Sequence, residues 1–446
     1  MTFRDAQEYL NSFVNYERTG YNSYRVPFKL GRIKSFLEIL SNPQEVTRFL
    51  HVVGTKGKGS TCAFLAYILS QAGFKTGLYT SPHLDSFRER IRILKKDSRG
   101  DFPGMISPED IAKYVARLKP AVERFKRISS YGDLTFFEVC TALAFLYFRE
   151  KKVDFAVLET GLGGRLDATN VVNPLVVGIT PVSYEHTQLL GKTLGKIAAE
   201  KCAVIKNKGE ILVCAPQSRE AKKVIEARSK KFRARLFSVG KEIFFKLTET
   251  TPTLQTFGVE SLFREYPGLK SRLVGRHQMI NAATAIGMVE ALRFHNIYIP
   301  ARAIENGIAS ARWPGRFEIV NKNPFVILDG AQNVASCRAL KATLREVFGK
   351  RKVILVLGIS QDKDLKGICR ELGPVAKAII LTQSSNPRAA KVETLKNFFA
   401  KKKEVSLTKN LKQAINLAFR KAKKKDLILV TGSLFVVGEA RRLCLD

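Results

Sequence analysis

Residues 48–60 read RFLHVVGTKGKGS, and this stretch decides the fold class of the protein. Its first six residues are typical of a short buried strand, and a helical pattern runs from about Ser60 to Ala72. The glycines between them let the backbone curl so that its N–H groups can face phosphate oxygens. A strand, a glycine loop and a helix in this order predict an α/β protein that binds phosphate.

The loop supplies charge as well as backbone N–H groups. Lys58 places a cation near the β- and γ-phosphates of a bound nucleotide, and Ser60 opens a helix whose N-terminus attracts anions. The general pattern G-x-x-x-x-G-K-[ST] is not met, because the loop is shorter and Gly59 separates the lysine from the serine. A glycine-rich turn without a ligand is the alternative. On this feature alone, any protein that uses ATP or GTP fits.

Strand and helix patterns alternate beyond this loop. Such alternation predicts a mostly parallel sheet that is covered on both faces and binds ligands at the carboxyl ends of its strands. In the N-terminal part the predicted strands are 48–53, 75–80, 153–159 and 175–180, and the predicted helices are 60–72, 108–127, 135–149 and 193–205.

A second alternating block begins near Trp313, where Trp313-Pro314-Gly315 breaks the preceding helix. We therefore predict a P-loop-containing domain over residues 1–312 and a smaller, Rossmann-like α/β domain over residues 313–446. The predicted strands of the second domain are 324–329, 352–358, 376–382 and 427–430. Its predicted helices are 334–347, 365–372, 392–402 and 411–423, followed by a closing helix.

The net charge of +35 has three interpretations: nucleic-acid binding, attraction of polyanionic substrates, or a general bias towards lysine. The basic residues are spread along the whole chain, and no interleaving of aromatic and basic residues resembles a nucleic-acid module. We therefore expect no specific nucleic-acid function, although weak binding at low salt fits the charge.

The chain carries no pattern typical of export or of a membrane protein. The first twenty residues mix charged and apolar types, and the longest apolar runs, 353–359 and 427–438, are shorter than the roughly 20 residues that span a bilayer. The seven cysteines are dispersed without a C-x-x-C pair, which is typical of buried reduced thiols. We expect a soluble, cytoplasmic protein without a membrane partner.

Further motifs make the loop recognisable. The loop G-T-x-G-K-G-S resembles that of the Mur ligase superfamily and, within it, of the folylpolyglutamate synthase/dihydrofolate synthase family. The supporting segment LETGLGGRLDATN at 158–170 is long and highly specific. The other supporting motifs are SPHL at 81–84, ERI at 89–91, LTFFE at 134–138, EK at 200–201, IK at 205–206, GRHQ at 275–278, NAA at 281–283, WPGR at 313–316, DGA at 329–331 and GSL at 432–434.

The resemblance implies a Mur ligase-like fold and an ATP- and Mg²⁺-dependent ligase that forms carbon–nitrogen bonds. It implies that L-glutamate is joined to dihydropteroate, or to folate and its polyglutamates, through an acyl phosphate. Phosphoryl transfer depends mainly on positioning and charge neutralisation, so the site needs cations, N–H groups and metal ligands more than a nucleophile. We expect the second domain, on the glutamate side, to close over the first and exclude water. We also expect a monomer, because the family's active site lies within one chain.

The resemblance also implies a metal site. Glu159 ends a predicted strand, which places its carboxylate at the ligand edge of the sheet, and Mg²⁺ prefers hard oxygen ligands. In relatives, the lysine that matches Lys201 carries CO₂ as a carbamate, which turns a cation into an anionic ligand. From the residues alone, Glu159 could instead cap a helix, a lone His186 would more often be structural, and Lys201 could be one solvated lysine among many. The predicted metal ligands are Ser60, Ser81, Glu159, His186 and Lys201, and the predicted catalytic residues are Lys58, Glu159, His186 and Lys201.

The predicted nucleotide and substrate contacts come from both domains. Asn281 resembles the family residue that contacts adenine, Arg316 the one that reaches the phosphates from the second domain, and Asp329 a nucleotide-side aspartate. An interdomain salt bridge is the alternative for Arg316, and core packing is the alternative for Phe136 and Phe137. The predicted ATP-binding residues are Gly54, Thr55, Gly57, Lys58, Gly59, Ser60, Asn281, Arg316 and Asp329. The predicted residues of the pterin-side pocket are Thr135, Phe136, Phe137, Leu166, Asp167 and Ala168.

Four residues depart from the family pattern. Lys56 replaces an asparagine of the loop, and its cation could either tighten phosphate binding or face solvent. Glu185 replaces an aspartate and so lengthens the acidic arm before His186. Gln332 replaces a histidine and Val334 a proline in the segment D-G-A-H-N-P, which removes a charge-donating group near the nucleotide or the incoming glutamate.

Other functions compete with this interpretation. A P-loop ATPase associated with nucleic acid would carry a switch or helicase motif, and we find none. A Mur-type amino-acid ligase that acts on another carboxylate acceptor is disfavoured by segment 158–170. A degenerate, non-catalytic relative is disfavoured by four intact residues, which are Lys58, Glu159, His186 and Lys201. The sequence does not separate addition of the first glutamate to dihydropteroate from extension of folate.

Overall fold

Three β-sheets organise the residues that the computed structural model describes, which are 1–19, 28–399 and 404–445. The strands of the first sheet are β1 (Arg48–Val53), β2 (Thr76–Tyr79), β3 (Ile91–Leu94), β4 (Phe155–Glu159), β5 (Pro174–Ile179), β6 (Ile211–Cys214) and β7 (Arg235–Ser238). Their order in space is β3-β2-β4-β1-β5-β6-β7. All neighbouring strands are parallel except β2 and β3. The carboxyl ends of β1, β4 and β5 therefore meet at one edge.

Helices cover both faces of this sheet. They are α1 (Phe3–Asn11), α2 (Tyr16–Thr19), α3 (Leu30–Ile39), α4 (Lys58–Gln71), α5 (Pro108–Ile128), α6 (Phe136–Glu150), α7 (Thr187–Leu190), α8 (Leu194–Cys202), α9 (Arg219–Lys231), α10 (Arg276–Ala291) and α11 (Ala301–Ser310). Helices α4, α10 and α11 share one apolar core, and α1, α3, α5 and α6 share another. Every residue of α4 from 60 to 70 is buried, as expected for a helix that is apolar or small on all sides.

The second sheet is an antiparallel meander that the sequence analysis did not predict. Its strands are β8 (Phe244–Thr250), β9 (Gln255–Glu260) and β10 (Glu265–Ser271), in the order β10-β9-β8. Buried and less buried residues alternate along β9, and Phe257 and Val259 join the core of α10. These strands have one solvated face, so they lack the continuous apolar runs that revealed the parallel strands.

The third sheet forms the centre of the C-terminal domain. Its strands are β11 (Glu318–Lys322), β12 (Phe325–Asp329), β13 (Val353–Leu357), β14 (Ala376–Leu381), β15 (Glu404–Leu407) and β16 (Leu427–Thr431), in the order β11-β12-β16-β13-β14-β15. Only β11 is antiparallel to its neighbour among these described strands. The helices of this domain are α12 (Val334–Phe348), α13 (Leu365–Leu372), α14 (Val392–Lys396), α15 (Leu411–Lys421) and α16 (Leu434–Leu445).

The predicted α/β class and the predicted strands are confirmed, and one predicted helix is corrected. The helix predicted over 392–402 is wrong beyond Lys396, because the N–H groups of Phe398 and Phe399 bond to carbonyls three residues back and tighten the chain into a turn. Residues 400–402 of that prediction lie outside the described residues. Strands β3, β6, β7, β11 and β15 were not predicted. The predicted domain boundary falls in the connection between α11 and β11.

None of the helices in the described ranges is both long and apolar enough to cross a membrane.

A buried ion pair fixes the start of α6, which carries part of the predicted substrate pocket. The Arg32 Nε of α3 donates to both carboxylate oxygens of Glu138, at 2.9 and 3.0 Å. Glu138 also accepts from the backbone N–H and the hydroxyl of Thr135, both at 2.8 Å. Arg32 is completely buried, so its pairing with this carboxylate offsets part of the cost of burying its charge.

We expect Glu138→Ala to lower the free energy of unfolding by about 3–5 kcal/mol, because it removes the carboxylate that pairs with the buried guanidinium of Arg32 and caps the start of α6. Urea denaturation followed by circular dichroism would measure the change. Glu123→Ala is the matched control, since the Glu123–Lys126 pair is exposed and should contribute about 1 kcal/mol or less. Equal losses in the two variants would contradict the role given to the buried pair.

Candidate active site

A cavity of about 690 Å³ opens where the carboxyl ends of the first sheet face the C-terminal domain. Most residues predicted for the site line it. They are Thr55, Gly57, Lys58, Gly59, Ser60, Ser81, Thr135, Phe136, Phe137, Glu159, Leu166, Asp167, Ala168, His186, Asn281, Arg316 and Asp329. Gly54 and Lys201 lie directly behind this wall, where the Lys201 Nζ donates to the Gly54 carbonyl at 2.8 Å.

The glycine loop is held by very close packing. Gly57 has a φ of +87°, and a Cβ placed there would meet the Asn281 Oδ1 at 2.2 Å. A Cβ on Gly59 would meet the indole of Trp313 at 2.8 Å. The loop therefore packs against α10 and against Trp313 in the connection between α11 and β11, and its helix α4 presents its N-terminus to the cavity.

Lys58 and Glu159 form the charged centre of the cavity. The Lys58 Nζ lies 3.7 Å from the Glu159 carboxylate, which also accepts the backbone N–H of Ser81 at 3.2 Å. Burial raises the pKa of Glu159, and Lys58 and the Ser81 N–H oppose that rise. Glu159 thus faces the phosphate loop and the end of β2, as the metal-ligand interpretation requires.

The donor set fits Mg²⁺ that is bound together with a nucleotide. In the part of the chain that the structure describes, no three His, Cys, Asp or Glu side chains converge into a ready metal cage. Mg²⁺ in nucleotide sites uses one or two carboxylates and completes its shell with waters and phosphate oxygens. Glu159 supplies such a carboxylate at the phosphate loop, and Ser60 and Ser81 place hydroxyls on the same cavity wall.

Lys201 is a buried lysine whose pKa is lower than that of an ordinary lysine. It lies near the end of α8 and is only 5 % exposed. Burial, and next the positive charge of Lys58, lower its pKa to about 7. A substantial fraction of Lys201 is therefore the neutral, nucleophilic amine at neutral pH, unlike a solvated lysine.

His186 lies at the start of α7 in the left-handed region, with a φ of 51°. Burial lowers its pKa to about 3, although Glu185 opposes the shift. The imidazole is therefore neutral, which is the form that ligates metals.

Arg316 and Asp329 belong to one small unit of the C-terminal domain. The Asp329 carboxylate accepts the N–H groups of Phe317 and Ala331, both at 2.9 Å, so it holds the loop that carries Arg316. Burial lowers the pKa of Arg316, and Asp329 and Glu159 oppose this. No ion pair joins Arg316 to another described residue within 4.0 Å, so the alternative of a simple interdomain salt bridge finds no support.

The predicted pterin-side residues differ in their roles. Phe136 is 3 % exposed and carries the Arg90 guanidinium over its ring at 5.3 Å, so it is mainly a packing residue. Phe137 is half-buried and packs on Gly161. The Asp167 carboxylate accepts from Leu162 and Thr169 in its own loop, so it shapes the wall.

Sequence reasoning missed several residues that line the cavity. The N-terminal segment Val14, Asn15, Tyr16 and Glu17 contributes to the wall, and so do Lys363 and Arg388 of the C-terminal domain. Lys363 follows β13 and Arg388 follows β14, so the rule that ligands bind at strand ends could have found them. No pattern in the sequence marks the N-terminal segment.

Lys56 and Glu185, which both depart from the family pattern, contact each other in the structure. The Lys56 Nζ lies 3.1 Å from the Glu185 carboxylate, so Lys56 neither faces solvent alone nor stands free for phosphate. Gln332 lines the cavity, and its backbone N–H donates to the Ser336 hydroxyl at 3.1 Å. We find no structural reason for Val334 at the start of α12.

Comparisons with known proteins agree with this geometry. Residues 111–289 match the model of the Mur ligase middle domain, and residues 315–434 match that of the Mur ligase, glutamate ligase domain. A dihydrofolate synthase/folylpolyglutamate synthase of Bacillus subtilis is 35% identical over 93% of this chain and 94% of its own length. The folylpolyglutamate synthase of Mycobacterium tuberculosis, complexed with ADP and AMPPCP, is 31% identical over 99% of this chain and 98% of its own, with a TM-score of 0.88. An FPGS–AMPPCP–folate complex is 27% identical over the full length of both chains, with a TM-score of 0.84.

The fold and the two matching domain models define a Mur-type ligase, an enzyme class that forms carbon–nitrogen bonds. Within that class, the chain belongs to the dihydrofolate synthase/folylpolyglutamate synthase family. The predicted fold class and the predicted family are thereby confirmed.

We expect Gly57→Ala to weaken the binding of AMPPCP by about 10-fold or more, because the new methyl group displaces the Asn281 amide from the loop. Isothermal titration calorimetry would measure the affinity. Gly73→Ala is the control, since Gly73 also has a positive φ, +94°, but has open space around it. That variant should lose about 1–2 kcal/mol of stability and keep its affinity. Equal affinities of Gly57→Ala and the unmodified protein would refute the packing argument.

Proposed function

We propose that this protein joins L-glutamate to dihydropteroate, or to folate and its polyglutamates, in a reaction that consumes ATP and requires Mg²⁺. One observation carries the proposal: a single cavity between the two domains holds a phosphate loop, a buried carboxylate beside a lysine, and an aromatic pocket. The relatives whose names include folylpolyglutamate synthase, and their complexes with ADP, AMPPCP and folate, support it.

The phosphate groups of ATP lie along the glycine loop in this proposal. Lys58 and the N–H groups at the start of α4 neutralise them from the first domain, and Arg316 does so from the second. Glu159, His186 and the hydroxyls of Ser60 and Ser81 hold Mg²⁺, which supplies further charge neutralisation when bound. Asn281, packed against Gly57, stands on the nucleotide side of the loop.

The carboxylate to be activated enters from the side of Phe137, Leu166 and Ala168. Its oxygen attacks the γ-phosphorus, ADP leaves, and an acyl phosphate results. The glutamate nitrogen then attacks the acyl carbon, phosphate leaves, and the nitrogen loses a proton. Both domains wall the cavity, which limits the access of water to the acyl phosphate.

The C-terminal domain is the glutamate side in this proposal. It contributes Lys363 and Arg388 to the cavity wall, and cations suit the two carboxylates of glutamate. Because both walls belong to one chain, we also propose that the active unit is a monomer. We further propose a cytoplasmic location, where ATP and free glutamate are available.

Phosphate release from MgATP would test the proposal, with L-glutamate present and with dihydropteroate or tetrahydrofolate offered in turn. We expect release that depends on both glutamate and a pterin acid, and the preferred acid assigns the activity. Release with glutamate and a different carboxylate acceptor would favour another Mur-type ligase. Release that is indifferent to glutamate, or stimulated by nucleic acid, would overturn the proposal.

We expect Lys201 to form a carbamate with CO₂, because its neutral amine can attack the carbon and release a proton. The pKa of about 7 determines how carbamate formation depends on pH. Below this pKa the ammonium form predominates and does not react, and above it the reactive amine predominates. In ¹³C-bicarbonate, a carbamate NMR signal should therefore grow as the pH rises from about 6 to about 8. Lys201→Ala should remove this signal and lower turnover about 10- to 100-fold.

Lys196→Ala is the matched control for this experiment, since Lys196 lies on the same helix and is exposed. It should keep both the signal and the turnover. A carbamate signal that persists in Lys201→Ala would show that another amine carries the CO₂.

A further inference from the structure

Glu185 lies between two lysines that belong to different domains. On one side, the Lys56 Nζ of the phosphate loop is 3.1 Å from its carboxylate. On the other side, the Lys363 Nζ of the C-terminal domain is 3.4 Å from it. One carboxylate thus connects the phosphate loop with the loop that follows β13.

These three charges are sheltered from solvent. The side chains of Lys56, Glu185 and Lys363 are 24%, 10% and 10% exposed. The Glu185 carboxylate accepts from the ammonium groups of both Lys56 and Lys363. Loss of this carboxylate would leave two sheltered cations facing each other, which is costly.

In the first domain, hydrogen bonds join the backbone near Lys56 to the segment that carries Glu185. The backbone N–H of Lys56 donates to the Pro181 carbonyl at 3.2 Å. The Thr55 hydroxyl accepts the N–H of Ser183 at 3.1 Å and donates to its carbonyl at 3.2 Å. The phosphate loop and the segment that carries Glu185 therefore form one unit.

In the C-terminal domain, polar contacts also hold the loop that carries Lys363. Asp362, next to Lys363, pairs with Arg388 at 2.5 Å. The Arg388 Nη1 donates to the Glu17 carbonyl at 2.9 Å, and the Glu17 carboxylate pairs with Arg90. A series of polar contacts thus runs along the cavity from the phosphate loop to the N-terminal segment on the pterin side.

We propose that Glu185 is a positioning residue that, as a unit with Lys56, holds the C-terminal domain in register over the phosphate loop through Lys363. Lys56 serves as the partner of Glu185 and not as a phosphate ligand. The two departures from the family pattern are then one feature: the longer arm of glutamate reaches both lysines at once. The effect on turnover rests on the function proposed above.

Glu185→Gln tests the role by separating turnover from binding. We expect kcat to fall about 10- to 100-fold, because the reacting groups of the two domains lose their register. The affinity for AMPPCP should stay the same or rise, since two cations near the phosphates gain freedom. Asp101→Asn is the control: it breaks the interdomain pair with Arg441, but it does not line the cavity, and its kcat should stay within about twofold of the unmodified protein's.

A double-mutant cycle distinguishes positioning from a general structural role. If Glu185 acts through Lys363, Glu185→Gln combined with Lys363→Gln should turn over no more slowly than the slower single variant. The proposal is overturned by losses that multiply in the double variant or by an unchanged kcat in Glu185→Gln. It is also overturned if AMPPCP affinity falls in parallel with kcat and thermal stability.

Small-angle scattering tests the same idea without relying on ligase activity. The radius of gyration of Glu185→Gln should exceed that of the unmodified protein and of Asp101→Asn. If this difference appears while no pterin acid is ever glutamylated, the proposed function fails and the positioning role stands. If glutamylation occurs and the difference is absent, the positioning role fails alone.

Discussion

The rest of the site depends on how closely other elements approach the phosphate loop. At Gly57 and Gly59 no side chain fits, because Asn281 and Trp313 occupy the space that a Cβ would need. The loop is thereby fixed against α10 and against the connection between α11 and β11. Because the conformation of the loop is set by this packing, Lys58 is held beside Glu159.

Much of this arrangement could be predicted from the sequence, and the reason is local. The strand–loop–helix unit at residues 48–71 and the carboxylate at the end of β4 follow from apolar runs and from the rule that sheet ligands lie at strand ends. The meander of β8 to β10 was not predicted, because half-solvated strands carry a weak alternation. The assignments of His186 and Lys201 came from family resemblance, since an isolated histidine or lysine has no local signature.

Contacts between residues far apart in the chain could not be predicted in this way. Lys56 and Glu185 are 129 positions apart, and Lys363 lies a further 178 beyond Glu185. In the sequence each of these residues stands by itself, and only the folded structure brings the three together. The same holds for Glu17 and Arg388, 371 positions apart, whose contact joins the N-terminal segment to the C-terminal domain.

Two lysines of one loop therefore have different tasks, although only one residue separates them. Lys58 lies beside Glu159, at the edge of the sheet where phosphate chemistry is expected, whereas Lys56 is bound by Glu185 and through it meets Lys363. Buried ion pairs rarely add much net stability, but each removed partner leaves a costly charge, so they specify one arrangement over others. In the function proposed above, the two domains bring the reactants together, and this requires such specification at the loop itself. An error of an ångström there would separate the reacting groups, whereas the same error at the pair of Asp101 and Arg441, which does not line the cavity, would leave them in place.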